Sequence, residues 1–263
     1  MPDPTAPLHT TAYGDDGPLV VFCHGLFGQG RNWTQVAKRL AGEHRTLLVD
    51  MPDHGRSPWS ERFDYLAAAD QVAALLSADD PAALVGHSMG GKIAMLVALR
   101  HPELVSRLAV VDVSPVAYAH TDEFRGYIAA MRGLDLGTLE RRGQADEAIA
   151  EAVPNSTVRA FLLQNLRHDH GRWSWQPNLE LIDRDLPEIG GWPEERLAGV
   201  APYDGPVLWV AGARSRYVSE EYAEPMDRWF PGNRRVTVKE AGHWVHSEQP
   251  AVFLEVLRRF LRA

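Results

Sequence analysis

The sequence predicts an α/β protein: a mostly parallel sheet with helices on both faces, interrupted by an inserted helical cap. Two observations carry that expectation. Short apolar β-type runs alternate with helical patterns through the first half of the chain, the signature of strands buried on both faces by crossover helices. The alternation then lapses for some 85 residues before two more strand-like runs restore it. The 263 residues thereby divide into a core of residues 1–113 and 201–263 and a cap of residues 114–200.

The expected strands are Leu19–Cys23, Arg45–Asp50, Ala82–Gly86, Leu108–Asp112, Val207–Ala211 and Arg235–Lys239. Helical spacing of apolar residues is read over Trp33–Leu40 and Tyr65–Leu76, where Tyr65, Ala69, Val72 and Leu76 form one face. A third helix, Lys92–Leu99, follows its strand directly and is stopped by Pro102. Glu220–Trp229 and Val252–Leu261 read as the closing amphipathic helices. The cap is expected to be helical over Asp122–Met131, Gln144–Val153 and Thr157–Leu166, followed by a Gly/Trp-rich stretch, Gly171–Pro177.

Composition narrows the function. Hydrophobic residues at 45% and charged ones at 24% are ordinary for a globular chain. The formal charge of −8 disfavours binding to phosphate backbones or anionic membranes. A single cysteine, Cys23, excludes an intrachain disulfide and a cysteine-built zinc site. The longest apolar run, Ile93–Leu99, is too short to span a bilayer. The N-terminal stretch has neither a basic start nor an apolar leader segment, so a cytoplasmic protein is expected. Oligomeric state is not legible.

Gly86-His-Ser-Met-Gly90 matches G-x-S-x-G, with a β-run before it and a helix after it. That context is what the pattern needs: a sharp strand-to-helix turn projects the Ser88 hydroxyl, and the helix N-terminus favours negative charge there. His24-Gly-Leu-Phe-Gly28 follows the first strong strand. Acyl transfer needs two backbone N–H groups aimed at the developing oxyanion, expected from Met89 and from Leu26, with Phe27 the second choice. His24 reads as a structural hydrogen bonder. His243, in Ala241-Gly-His-Trp244 after the last strand, completes the chain order Ser…Asp…His; His246 is its competitor.

These four segments, HGLFG (24–28), DHGRSP (53–58), GHSMGG (86–91) and GHWVHSEQP (242–250), resemble those of the α/β-hydrolase fold superfamily. The resemblance covers nearly the whole chain outside the cap. Ser88 at the turn excludes the branches that use an aspartate nucleophile. Many members carry the triad acid in the loop after the strand at Val207–Ala211. Here that loop, Gly212–Tyr217, holds no carboxylate before Glu220, and Ser215 stands about where the usual acid would be. Asp112, 24 residues beyond Ser88 at a carboxyl strand end, is therefore the expected orienting acid. The displaced acid, with RNW at 31–33 and VVDVSP at 110–115, resembles the abhydrolase-type esterase and thioesterase branch, which is similar to ethanol acetyltransferases.

The resemblance implies a cofactor-independent serine hydrolase of small acyl esters or thioesters, with transfer to alcohols a further capacity. C–C bond hydrolysis, lyase chemistry or perhydrolysis on the same framework is the first alternative, and a non-catalytic small-molecule receptor the second. Tyr118, at the cap entrance, and Tyr217 read as substrate-facing, as do Phe27, Phe124, Tyr127 and Trp244. Most cap aromatics read as packing. Asp50, Asp53 and His54 read as a hydrogen-bonded turn rather than a metal site, and His168-Asp169-His170 as an exposed polar turn. Cys23 reads as a small buried hydrophobe.

Overall fold

The computed structural model describes residues 6–119 and 122–263. The first five residues of the stretch read as lacking an export signal lie outside it, as do His120 and Thr121 of the expected cap.

Seven strands form one sheet: β1 (Thr10–Tyr13), β2 (Leu19–Cys23), β3 (Arg45–Val49), β4 (Ala82–His87), β5 (Val105–Val111), then β8 (Val207–Gly212) and β9 (Asn233–Val238) after an intervening hairpin. The order is β1-β3-β2-β4-β5-β8-β9, and every pairing is parallel except β1 with β3. β2 shows why its run was continuously apolar. Val21 and Cys23 pack into the core on one face, and Val20 and Phe22 into that on the other. β1 was not expected. It is a four-residue, half-exposed antiparallel edge, too short and too polar to stand out from its surroundings.

Helices cover both faces. On one lie α2 (Tyr65–Ala73) and α3 (Met89–Arg100), the latter buried along its whole length except Arg100. On the other lie α1 (Thr34–Leu40) and α11 (Pro250–Arg262), which buries Phe253, Leu254, Leu257 and Phe260 on one stripe. The strand ends fall level: Cys23 pairs with Gly86, His87 with Val111, and Val111 with Val210. Loops leaving β2, β4, β5 and β8 therefore converge at one edge, where open parallel sheets place ligands.

Between β5 and β8 run α4 (Asp122–Arg132), α5 (Arg142–Ala148), α6 (Ser156–Leu163), a hairpin of β6 (Leu166–Asp169) and β7 (Arg172–Trp175), α7 (Leu179–Arg184) and α8 (Leu186–Gly190). The hairpin corrects the expectation of helix through Leu166 and places a strand, β7, in the Gly/Trp-rich stretch, to which no element had been assigned. His170 and Gly171 both take positive φ, the geometry of a two-residue hairpin turn. His168 and Asp169, expected in a turn, are exposed strand residues; only His170 is in the turn. Trp173 and Trp175 donate their indole N–H to Leu139 O and Met131 O, so they hold this segment together as packing residues. The remaining helix, α9 (Ala223–Trp229), begins three residues later than expected, after a short 3₁₀ turn at Glu220–Tyr222; α10 (Val245–Glu248) precedes α11.

Candidate active site

Ser88 sits between β4 and α3 at φ 52°, ψ −122°, outside the conformations ordinary L-residues adopt. Two glycines make that turn sterically possible. A Cβ on Gly86 would lie 2.4 Å from Gly90 O, and one on Gly90 2.4 Å from His24 O. The Ser88 N–H donates to Val111 O at 3.0 Å, tying the turn to the end of β5.

Asp112 leaves β5 at φ 53° with no solvent exposure. Three donors converge on its carboxylate. Gly212 N–H reaches Oδ1 at 2.9 Å, His243 Nδ1 reaches Oδ2 at 2.8 Å, and the Ser215 hydroxyl also donates to Oδ2. Ser215 thus reaches the Asp112 carboxylate from the loop after β8. His243 is held by its own loop: Gly242 N–H and Trp244 N–H both donate to the Glu248 carboxylate. His87 Nε2 donates to His243 O at 2.8 Å, and the Tyr217 ring lies 4.3 Å from the His243 ring. Burial, with His243 alongside, drives His87 well below its ordinary pKa, so that ring is neutral. Among the described residues no hydrogen bond joins Ser88 Oγ to His243; the two side chains line one cleft.

His246 has a different place. It is half-buried, its ring stacks on Trp33 at 4.2 Å, and desolvation pushes its pKa down to about 3. Glu220 is exposed in the 3₁₀ turn.

The loop after β2 separates the two oxyanion choices. Phe27 N–H donates to His54 Nε2 at 3.2 Å and is spent. Among the described residues, neither Leu26 N–H nor Met89 N–H has a partner. His24 accepts from Met51 N–H through Nε2 and donates through Nδ1 to Gly25 O, a fastening role. Burial brings its pKa down to about 3. The DHGRSP segment spends its polar atoms the same way. Asp50 accepts from Gly30 N–H and Arg56 N–H, Asp53 from Ser60, and His54 Nδ1 donates to Pro52 O.

Two narrow apolar clefts meet at Leu26, Ser88 and Phe124. One, of about 40 Å³, includes Tyr118 and Tyr217; the other, about 10 Å³, includes Phe27, Tyr127 and Trp244 beside His243. All six residues expected to face substrate line one or both. Tyr118 is also a strut: its hydroxyl accepts from Ser114 N–H and donates to Tyr217 O, each at 2.6 Å. Elsewhere, a wider groove of about 750 Å³ is lined by charged groups such as Arg184 and Asp185 and contains neither Ser88 nor His243.

Sequence reasoning passed over two residues here. Asn165, fully buried after α6, donates to Phe27 O at 2.8 Å and accepts from Gln29 Nε2 at 2.5 Å, pinning the loop after β2 to the 114–200 segment. Lys92, read only as the start of a helix, is 2% exposed and lines the larger cleft. Cys23 is buried, with a thiol pushed up to about 12 by desolvation.

A mostly parallel sheet with a serine on its central strand-to-helix turn is the architecture of the α/β hydrolases. The chain belongs to that family: residues 18–250 match its profile, alpha/beta hydrolase fold. It is 39% identical over 252 residues to sn-1-specific diacylglycerol lipase ABHD11 of Mus musculus, covering 93% of this chain and 81% of that one. It is 30% identical over 273 residues to a probable alcohol acetyltransferase of Saccharomyces cerevisiae, covering 94% and 79%. Among solved structures, a marine microorganism esterase superposes with a TM-score of 0.91 at 29% identity, over 97% of this chain and 99% of that chain. No helix among the described residues is long and apolar enough to cross a membrane.

Proposed function

We propose that this chain is a carboxylic ester hydrolase that works through an acyl-enzyme on Ser88. The observation that carries the reading is the 2.8 Å bond from His243 Nδ1 to the buried Asp112 carboxylate, beside a serine in a strained turn. With Nδ1 committed to Asp112, His243 Nε2 is the free basic nitrogen. It takes the Ser88 proton as Oγ attacks the acyl carbon, and returns it to the leaving alcohol or thiol. The Leu26 and Met89 amides receive the oxyanion. Water, activated by the same nitrogen, releases the acid; an alcohol in its place yields a new ester. The likeness to an esterase, a diacylglycerol lipase and an alcohol acetyltransferase supports ester chemistry with this transfer as a second outcome. No cofactor enters any step.

Residues 114–200 act as the cap over this site, on a core of 1–113 and 201–263. Clefts of about 40 and 10 Å³ fall far below the roughly 300–1,000 Å³ of ligand sites, so cap side chains must yield before substrate enters. The test is Ser88→Ala: it is expected to abolish hydrolysis of a short 4-nitrophenyl ester and labelling by a fluorophosphonate, with unchanged circular dichroism. Retained turnover by that variant refutes the assignment. Cleavage of a β-diketone in preference to the ester moves the chain to carbon–carbon chemistry.

A further inference from the structure

Lys92 lies on α3 one helical turn beyond Ser88, with its side chain buried. Its ammonium donates to Gly190 O at 2.9 Å and Gly191 O at 2.5 Å, at the end of α8. It lies 4.7 Å from the centre of the Tyr118 ring and 5.7 Å from that of Tyr65. Among the described residues it makes no ion pair, and none of the side chains lining its cleft is acidic. Burial lowers its pKa to about 7. A cation this deep is costly unless an anion compensates it, and natural interiors nearly always supply one. Here the missing counter-charge faces a cleft that also contains Ser88.

The two clefts have different chemical neighbours. The one beside His243 receives the group that His243 protonates, the leaving alcohol or thiol. The Lys92 cleft contains Ser88, Met89 and Leu26 without His243, and so receives the acyl chain. Ser88 caps α3 and Lys92 follows four residues later, and both side chains border this one cleft.

Resting on Ser88 as the nucleophile, we propose that Lys92 selects acyl groups carrying a terminal carboxylate, whose charge completes the ion pair the protein leaves open. The carboxylate takes the place of one or both glycine carbonyls as the cap yields. Monoesters and monothioesters of short dicarboxylic acids are the substrate class.

The experiment compares mono(4-nitrophenyl) glutarate with 4-nitrophenyl pentanoate, acyl chains of equal length that differ in the terminal charge. In the wild type, kcat/KM for the glutarate is expected to equal or exceed that for the pentanoate. Lys92→Met should lower the glutarate-to-pentanoate ratio about tenfold to hundredfold through KM, the range for hydrogen bonds to charged groups. Lys92→Gln, which keeps a donor for the glycine carbonyls, should lower it in the same direction. The wild-type ratio should also fall as pH rises through about 7 and the amine loses its charge. Taking a ratio cancels pH effects common to both esters. The groups facing the amine are the Tyr65 and Tyr118 phenols, both shifted above their ordinary range by burial, and two backbone carbonyls, so none of them titrates in that window.

A wild type that disfavours the glutarate a hundredfold overturns the proposal. So do a ratio independent of pH, or Lys92 variants that slow both esters alike, which is the behaviour of a strut between α3 and α8. Turnover that survives Ser88→Ala instead overturns the nucleophile assignment, a separate failure.

Discussion

Replacing Asp112 with asparagine changes one buried oxygen into an amide nitrogen and nothing else in shape. The carboxylate has only acceptor sites, and three donors point at them: Gly212 N–H, Ser215 O–H and His243 Nδ1–H. An asparagine brings an NH₂ group into that ring of donors. Facing Oδ2's position, it opposes two N–H or O–H groups; facing Oδ1's, it opposes Gly212 N–H. The relief open to the site is for His243 to move its proton to Nε2 and accept at Nδ1. In that tautomer the imidazole cannot take the Ser88 proton. Loss of the correct tautomer in a serine triad costs about 10⁴ in kcat, or roughly 5 kcal/mol at 1.36 kcal/mol per tenfold. Steady-state hydrolysis of a short 4-nitrophenyl ester reads it, with KM expected to change little because Asp112 touches no substrate. The Ser215 hydroxyl and His243 Nδ1 meet at the same oxygen, so a carboxylate at 215 comes within reach of the ring. Asp112→Asn/Ser215→Asp is therefore expected to recover about tenfold or more of the lost rate. Asp112→Asn retaining more than a tenth of wild-type kcat, or Glu220→Gln costing more, refutes the assignment of the acid.

Two further outcomes follow from groups outside the triad. Asn165→Leu removes the donor to Phe27 O and leaves buried polar groups unpaired, costing about 1–3 kcal/mol. Because that bond pins the loop bearing the Leu26 amide, kcat should fall along with the urea midpoint, whereas a purely structural role would leave kcat unchanged below the transition. Acid should unfold the protein through its neutral histidines. His24 and His246 have folded pKa values of about 3 against about 6.5 unfolded. Only the unfolded chain gains protons between those values, so stability is full above pH 6.5 and is lost as pH falls toward 3. Each contributes a loss of about 2 kcal/mol by pH 5, at 1.36 kcal/mol per unit. Urea midpoints at pH 7 and pH 5 measure it, and His246→Phe should remove its share of the difference.

How much of the molecule was legible in its sequence follows from the range of the forces involved. Leu19–Cys23 read as a strand because both faces of Val20–Cys23 are buried, leaving no polar position to break the run. The Ser88 turn was legible for a related reason: glycines, nucleophile and helix start occupy five consecutive residues, and the close contacts that demand Gly86 and Gly90 are short-range. β1 was not, because its stability comes from pairing with β3 rather than from its own pattern. The β6–β7 hairpin was lost because Trp173 and Trp175 looked like generic packing. Their partners, Leu139 and Met131, lie 34 and 44 residues away.

The acid proposed at Asp112 shows where local reading reaches its limit. Absence of a carboxylate after β8 was visible in the sequence, and Asp112 at a strand end was visible too. What links them is register: Val111 of β5 pairs with Val210 of β8, so the loops leaving these strands converge on one point in space. Ser215 and Asp112, 103 residues apart, meet there, and His243 addresses the same oxygen. The fold therefore specifies a location for negative charge rather than a strand to carry it, and either neighbouring loop has the reach to supply it. Lys92 is the converse. Nothing in GHSMGGKIAM distinguishes a surface lysine from a buried one, because its meaning depends on α8 closing over it nearly a hundred residues later. A buried lysine held by two distant backbone carbonyls is recognisable only once the whole chain is folded around it.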